Sequence, residues 1–157
     1  MSERVYLETS IISYLAARPS RDLVTAARQQ LTHEWWTRRR SAFEVCISEL
    51  VVAEVAASDP DAAERRAQLI RDLSSLSISE EAIALARNLV QEAGFPARAA
   101  VDALHISLAA CHGIDYLLTW NSTHIANAEL RPKVEKAGRD NGYEPPVLCT
   151  PDELMGG

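Results

Sequence analysis

Glycine, cysteine, unbroken apolar stretches and excess positive charge are all scarce in this sequence, and each shortage excludes something. There are only six glycines, and none falls in a Gly-rich phosphate-cradling loop, so a nucleotide-binding fold has almost no support. The three cysteines, Cys46, Cys111 and Cys149, form no C-x-x-C pair. They fit neither a disulfide framework nor a cysteine zinc site, and are expected to be reduced, buried and structural. H-E-x-x-H and G-x-S-x-G are absent as well. No apolar run approaches the roughly 20 residues of a membrane span, and the first residues lack the charged start and apolar core of a signal peptide. A cytoplasmic protein without membrane contact is expected. The net charge of -6 argues against a protein that coats nucleic acid, because phosphate binding depends on cationic side chains. A local cationic surface remains available from Arg18, Arg21, Arg28 and the run Arg38-Arg39-Arg40, although for any single one of these arginines a solvated helix face is the favoured reading.

What is present is alternation. A chain of 157 residues, 47% hydrophobic, suffices for one compact core, so one domain spanning 1–157 is expected. Val5-Tyr6-Leu7 reads as a strand stopping at Glu8, followed by a helix to about Ala17 capped by Ser10. Leu23, Ala27, Leu31 and Trp35 mark an apolar stripe on a helix to about Arg40. Phe43 to Ile47 reads as the second strand, with Ser48 capping the helix that carries Glu54. Asp59-Pro60 starts another helix, Leu76-Ser77-Ile78 reads as a third strand, and Ser79-Glu80-Glu81 opens the next helix. Gly94-Phe95-Pro96 stops it. Ala97 to His112 is helical again, with Val101, Leu104, Leu108 and Cys111 assigned to the core side and Gly113 as its stop. Tyr116 to Thr119 is the fourth strand, a helix follows His124 as far as Asn141-Gly142, and Val147 to Cys149 is the last strand. Thr150-Pro151-Asp152-Glu153 combines a capping box with proline at the first helical position. This order predicts a three-layer α/β/α fold around a mostly parallel sheet of four to five strands, joined by right-handed crossovers.

The chemistry, if any, lies in acidic side chains. Glu8 follows a strand, where α/β folds place ligand sites, though it could be a plain exposed carboxylate. Glu54 shares a helical face with Val51 and Leu50, where a carboxylate is costly unless paired or metal-bound. Asp102, one turn into an Ala-rich helix, could equally be favoured by the helix dipole. His105 reads as a packing histidine, and Asn121 suits an ordinary turn. Trp36 is turned about 100 degrees from the Trp35 stripe, and partial burial is the favoured reading for it. Trp120 packs under its loop or stacks on a base. As a set, three carboxylates and an amide are oxygen donors, which suit magnesium or manganese far better than zinc.

In order and spacing, Val5-Tyr6-Leu7-Glu8-Thr9-Ser10, Ser48 to Glu54, Asp102-Ala103-Leu104-His105-Ile106 and Leu118-Thr119-Trp120-Asn121 resemble the four signature blocks of PIN-domain nucleases. The resemblance extends over nearly the whole chain and is closest to the VapC-like toxin ribonucleases of prokaryotic toxin-antitoxin pairs. It implies a magnesium- or manganese-dependent endoribonuclease acting on RNA, commonly a homodimer and held inactive by a cognate antitoxin. By this resemblance Glu8, Glu54, Asp102 and Asn121 are the catalytic positions, with Glu8, Glu54 and Asp102 as metal ligands. Thr9, Ser10 and Thr119 would add hydroxyl ligands or hold water beside them. The hypothesised reaction is phosphodiester hydrolysis by metal-activated water. Two residues depart from the family pattern: Glu8 stands where aspartate is usual and Asn121 where aspartate is frequent. These departures motivate one alternative, a catalytically degenerate PIN domain that binds RNA or protein. A second is an interaction protein whose first helices and tryptophans serve only dimerisation.

Overall fold

The computed structural model describes residues 2–156. Five strands form one sheet in the order β3-β2-β1-β4-β5, with every neighbouring pair parallel. They are β1 (Arg4–Leu7), β2 (Glu44–Ser48), β3 (Ser74–Leu76), β4 (Tyr116–Leu118) and β5 (Val147–Cys149). Between them run α1 (Thr9–Ala16), α2 (Leu23–Arg38), α3 (Glu49–Ala56), α4 (Pro60–Ile70), α5 (Glu80–Glu92), α6 (Ala100–Cys111) and α7 (Arg131–Asp140). Helices α1 to α4 pack among themselves, and α5 packs on both α6 and α7.

Handedness explains this division. The chain steps from β1 to β2 to β3 in one direction across the sheet, so right-handed crossovers put α1 to α4 on one face. It then steps in the other direction to β4 and β5, which puts α5 to α7 on the opposite face. The expected three layers result. The direction reverses between β1 and β4, and the crevice outside the carboxyl ends of those strands is where open α/β sheets bind ligands. Both strands are buried, with Val5, Tyr6, Leu7, Leu117 and Leu118 fully inaccessible, as a sheet covered on both faces requires.

Local signals set most element starts. Ser48 accepts from the Val51 amide, Asp59 from Ala62 with Pro60 behind it, and Ser79 from Ala82, so α3, α4 and α5 begin where the capping residues predict. Gly94 and Gly113 take positive φ at the ends of α5 and α6. The capping box of Thr150 and Glu153 is formed, and opens a short 3-10 helix, Pro151–Leu154.

Several expectations are corrected. Ser10 does not cap α1; Glu8 occupies the cap position, its side chain bonds no amide of the helix, and Ser10 lies within the first turn. The stripe assigned to α2 is wrongly phased, since Leu23 is 86% exposed and the buried residues are Gln29, Thr32 and Trp35. Polar partners explain this: Gln29 bonds the Arg18 carbonyl and the Ser20 amide, and Thr32 accepts from the Trp120 indole. The helix also ends at Arg38 rather than Arg40, and β2 is Glu44–Ser48 rather than Phe43–Ile47. Strand β3 is Ser74–Leu76, two residues earlier than Leu76–Ile78, because Ser75 and Leu76 pair with Ile47 and Ser48.

The stretch from Ala97 divides into a 3-10 turn, Ala97–Ala99, and α6. Val101 is 47% exposed there, while Ala103 and every residue from His105 to Ala110 are buried. A helix enclosed by the sheet and α5, with Ser107 donating to the Ala82 carbonyl, has no single apolar stripe to find. No helix begins directly after His124; turns run to Leu130, and α7 starts at Arg131. Of the cysteines, Cys46 and Cys149 are buried and free, their thiols pushed up by burial to about 11 and about 12, whereas Cys111 is free and half-buried.

Candidate metal and nucleic-acid site

Glu8 leaves β1 at its carboxyl end, and its amide still donates to the Leu118 carbonyl of β4. Only 7% of the residue is exposed, and its carboxylate meets hydroxyls rather than cations. Ser10 Oγ donates to Glu8 Oε1 at 2.5 Å and Thr119 Oγ1 donates to the same oxygen at 2.6 Å. Ser10 Oγ also accepts from the Trp120 amide, and Thr119 Oγ1 accepts from the Asn121 amide. The end of β1 and the loop after β4 are thereby stitched together across the crevice.

Glu54, on α3, is half-buried, and its Oε1 accepts from Thr9 Oγ1 at 2.7 Å and meets His105 Nε2 at 2.7 Å. Burial works to raise this carboxyl's pKa, but hydrogen bonds from His105 and Thr9 outweigh it and leave the carboxyl below the usual glutamate value. His105 itself is fully buried on α6, and its other nitrogen, Nδ1, lies 2.6 Å from the Tyr6 hydroxyl. As expected it is a satisfied histidine, and its partner is a candidate site residue.

Asp102 lies three residues before His105 on α6, and its Oδ2 is 3.1 Å from His124 Nδ1. The sequence offered no sign of His124, because the contact is made by the turn that follows β4. Asn121 shapes that turn: its Oδ1 accepts from the amides of Thr123 and His124 at 3.2 and 3.0 Å. Its side-chain oxygen is thus committed to the loop that carries His124 to Asp102.

The three hydroxyl residues singled out beside the acids all touch one of them or hold what touches them: Thr9 meets Glu54, and Ser10 and Thr119 meet Glu8. A common pattern emerges. Among the described residues, the hydrogen bonds to Glu8, Glu54 and Asp102 all fall on one oxygen of each carboxylate, leaving Oε2, Oε2 and Oδ1 without a protein partner. The engaged oxygen fixes the plane of the group, and the other stays available to a hard cation. No three His, Cys, Asp or Glu side chains among the described residues stand close enough together to hold an ion as they are. The donor chemistry fits magnesium or manganese, since the free atoms of the three acids are carboxylate oxygens and both ring nitrogens of His105 are occupied.

Cationic and aromatic side chains pair beside this loop and elsewhere on the surface. Trp120 is half-buried under it, its indole nitrogen donating to Thr32 Oγ1 at 2.7 Å, with Tyr14 6.0 Å and the Arg28 guanidinium 5.3 Å from its ring. Trp36 is partly buried beneath Arg40, whose guanidinium lies 4.0 Å from the ring. Arg18 approaches Asp61 at 3.8 Å, both exposed.

A family model described as PIN domain matches residues 5–130, four strands and all four acidic or amide positions included. The chain belongs to the PIN-domain family. Solved structures of similar fold include the Mycobacterium tuberculosis VapC20, a sarcin-ricin loop cleaving toxin. It has a TM-score of 0.59 and 16% identity, over 76% of this chain and 91% of that one. FitAcB from Neisseria gonorrhoeae gives a TM-score of 0.52 at 18% identity, covering 75% and 88%. VapBC2 from Rickettsia felis, bound to a DNA fragment from its promoter, gives 0.51 at 18%, covering 76% and 89%. No curated protein matches the chain. Among the described residues no helix is long and apolar enough to cross a membrane.

Proposed function

We propose that this PIN domain is a magnesium- or manganese-dependent endoribonuclease, the toxin of a toxin-antitoxin pair, with residues 1–157 acting as one unit. The observation that carries the reading is the shared state of Glu8, Glu54 and Asp102: one oxygen held, the other free, at the carboxyl edge of the sheet beside its reversal point. Its fold likeness to VapC20, a sarcin-ricin loop cleaving toxin, supports RNA as substrate, and its likeness to VapBC2 and FitAcB supports an antitoxin partner; a homodimer is part of the same proposal.

In this reading Glu8, Glu54 and Asp102 hold the ion, directly or through water. The ion supplies a water of lowered pKa and stabilises charge on the phosphate. The chain's own contribution is orientation. Ser10 and Thr119 fix Glu8, Thr9 and His105 fix Glu54, and His124 fixes Asp102. Asn121 acts through the loop, since its amide oxygen holds the His124 backbone. Arg28, whose guanidinium lies 5.3 Å from the Trp120 ring centroid beside the Ser10-Trp120 link, suits a phosphate.

A degenerate PIN domain that binds without cutting is the second reading, favoured by the commitment of Asn121 Oδ1 to its own loop. One assay separates the two. Purified protein with magnesium should cut RNA, and Asp102→Asn should reduce cleavage by at least about 100-fold while leaving the circular dichroism spectrum unchanged. Equal cleavage by the parent and Asp102→Asn overturns the assignment, and no cleavage by the parent with either metal favours the degenerate reading.

A further inference from the structure

Tyr6 and Ser48, buried, polar and unused by the reading above, continue inward from His105 and form with it one chain of hydrogen bonds ending on Glu54. Ser48 Oγ accepts from the Val51 amide at 3.3 Å, the Tyr6 hydroxyl lies 2.8 Å from Ser48 Oγ and 2.6 Å from His105 Nδ1, and His105 Nε2 lies 2.7 Å from Glu54 Oε1. The residues come from β1, the end of β2, α3 and α6, so the chain ties the sheet to both helical layers, which meet directly at the His105-Glu54 contact.

Donor and acceptor counting gives the chain a direction. An ionised carboxylate only accepts, so His105 Nε2 carries the proton that faces Glu54. A neutral imidazole then has its lone pair on Nδ1, which needs a donor, and the Tyr6 hydroxyl is the group in range. Having donated to His105, Tyr6 accepts from Ser48, whose oxygen accepts from Val51. With His105 neutral, each proton has one place to go. Burial also pushes the Tyr6 phenol well above its ordinary pKa, so the hydroxyl keeps its proton.

We propose that His105 is a positioning residue for Glu54: Tyr6 and Ser48 help hold it as the Nε2-H tautomer, which pins Glu54 Oε1, leaves Oε2 as the oxygen that would meet an ion and bars His105 itself from ligation. The inference rests on the metal-dependent reading for its consequence, but its geometry is testable without metal. Neither ring nitrogen has a lone pair to spare, so the histidine beside the acids is not a fourth ligand. Its influence on the ion passes through the glutamate. Losing such an outer partner typically weakens metal binding by about 10- to 100-fold.

The test uses the full chain. Nitrogen-15 spectra of the imidazoles in metal-free protein should show His105 as the Nε2-H tautomer, and Tyr6→Phe, which removes one hydroxyl and keeps the ring, should weaken that preference by leaving Glu54 alone to hold it. Manganese titration should then show roughly 10- to 100-fold weaker binding in Tyr6→Phe and in His105→Leu. His105→Gln, whose amide keeps one donor and one acceptor, should recover part of the loss. Thermal melts establish that each variant is folded; should His105→Leu not fold, Tyr6→Phe and His105→Gln decide. A wild-type Nδ1-H tautomer overturns the proposal, as does manganese affinity unchanged within about twofold in folded Tyr6→Phe. A wild-type protein that takes up no manganese overturns the metal-dependent reading, while the tautomer still decides whether the chain orients Glu54.

Discussion

Thr119 Oγ1 lies 2.6 Å from Glu8 Oε1, joining residues 111 positions apart at the ends of adjacent strands. The bond works because β1 and β4 are in register up to Leu7 and Leu118, so the next residue of each strand emerges side by side. Thr119 is fully buried, and its hydroxyl both donates to Glu8 and accepts from the Asn121 amide. Thr119→Val keeps the shape and removes both bonds. It should cost about 1–3 kcal/mol, because a buried carboxylate oxygen and an amide each lose a partner. Urea unfolding measures this, and an unchanged midpoint would mean water replaces the hydroxyl fully.

Helix α2 gives a contrast that tests the corrected phase of its inner face. Leu23 is largely exposed whereas Trp35 is fully buried, stacked on Phe43 with ring centroids 6.1 Å apart. Leu23→Gln should change stability by no more than about 0.5 kcal/mol, and Trp35→Ala should cost about 3–5 kcal/mol. A large loss at Leu23 in a monomer would restore the stripe read from the spacing of four.

Glu54 makes stability depend on pH. Its carboxyl lies below the usual glutamate value in the folded protein, since the bonds from His105 and Thr9 outweigh the opposing effect of burial. The stabilisation is therefore complete above the ordinary glutamate value and is lost as pH falls from there through the lower folded value. In metal-free buffer, wild type should exceed Glu54→Gln in unfolding free energy near pH 7, and the gap should close under acid conditions. A gap that widens on acidification would reverse the sign argued here.

Much of the fold was legible because its signals are local. Ser48, Asp59, Ser79 and the Thr150-Glu153 box are caps whose partners lie three residues away, so spacing alone reveals them. The errors come from partners far off in the chain. Thr32 and Gln29 face inward because Trp120, Arg18 and Ser20 receive them, and nothing within α2 announces it. The same holds at the site. Glu8, Glu54 and Asp102 were visible as acids in suggestive places, and Thr9, Ser10 and Thr119 as hydroxyls beside them. The pairing of Asp102 with His124 depends on a turn built by Asn121, and that of His105 with Tyr6 spans 99 positions. Periodicity carries no trace of either.

The central claim is that Glu8, Glu54 and Asp102 serve one hard cation. Calorimetric titration of manganese into the metal-free chain tests it most directly, repeated with Glu8→Gln, Glu54→Gln and Asp102→Asn. The account predicts millimolar or tighter uptake by the wild type, weakened by each substitution alone. Absent uptake, or uptake indifferent to all three substitutions, would contradict it.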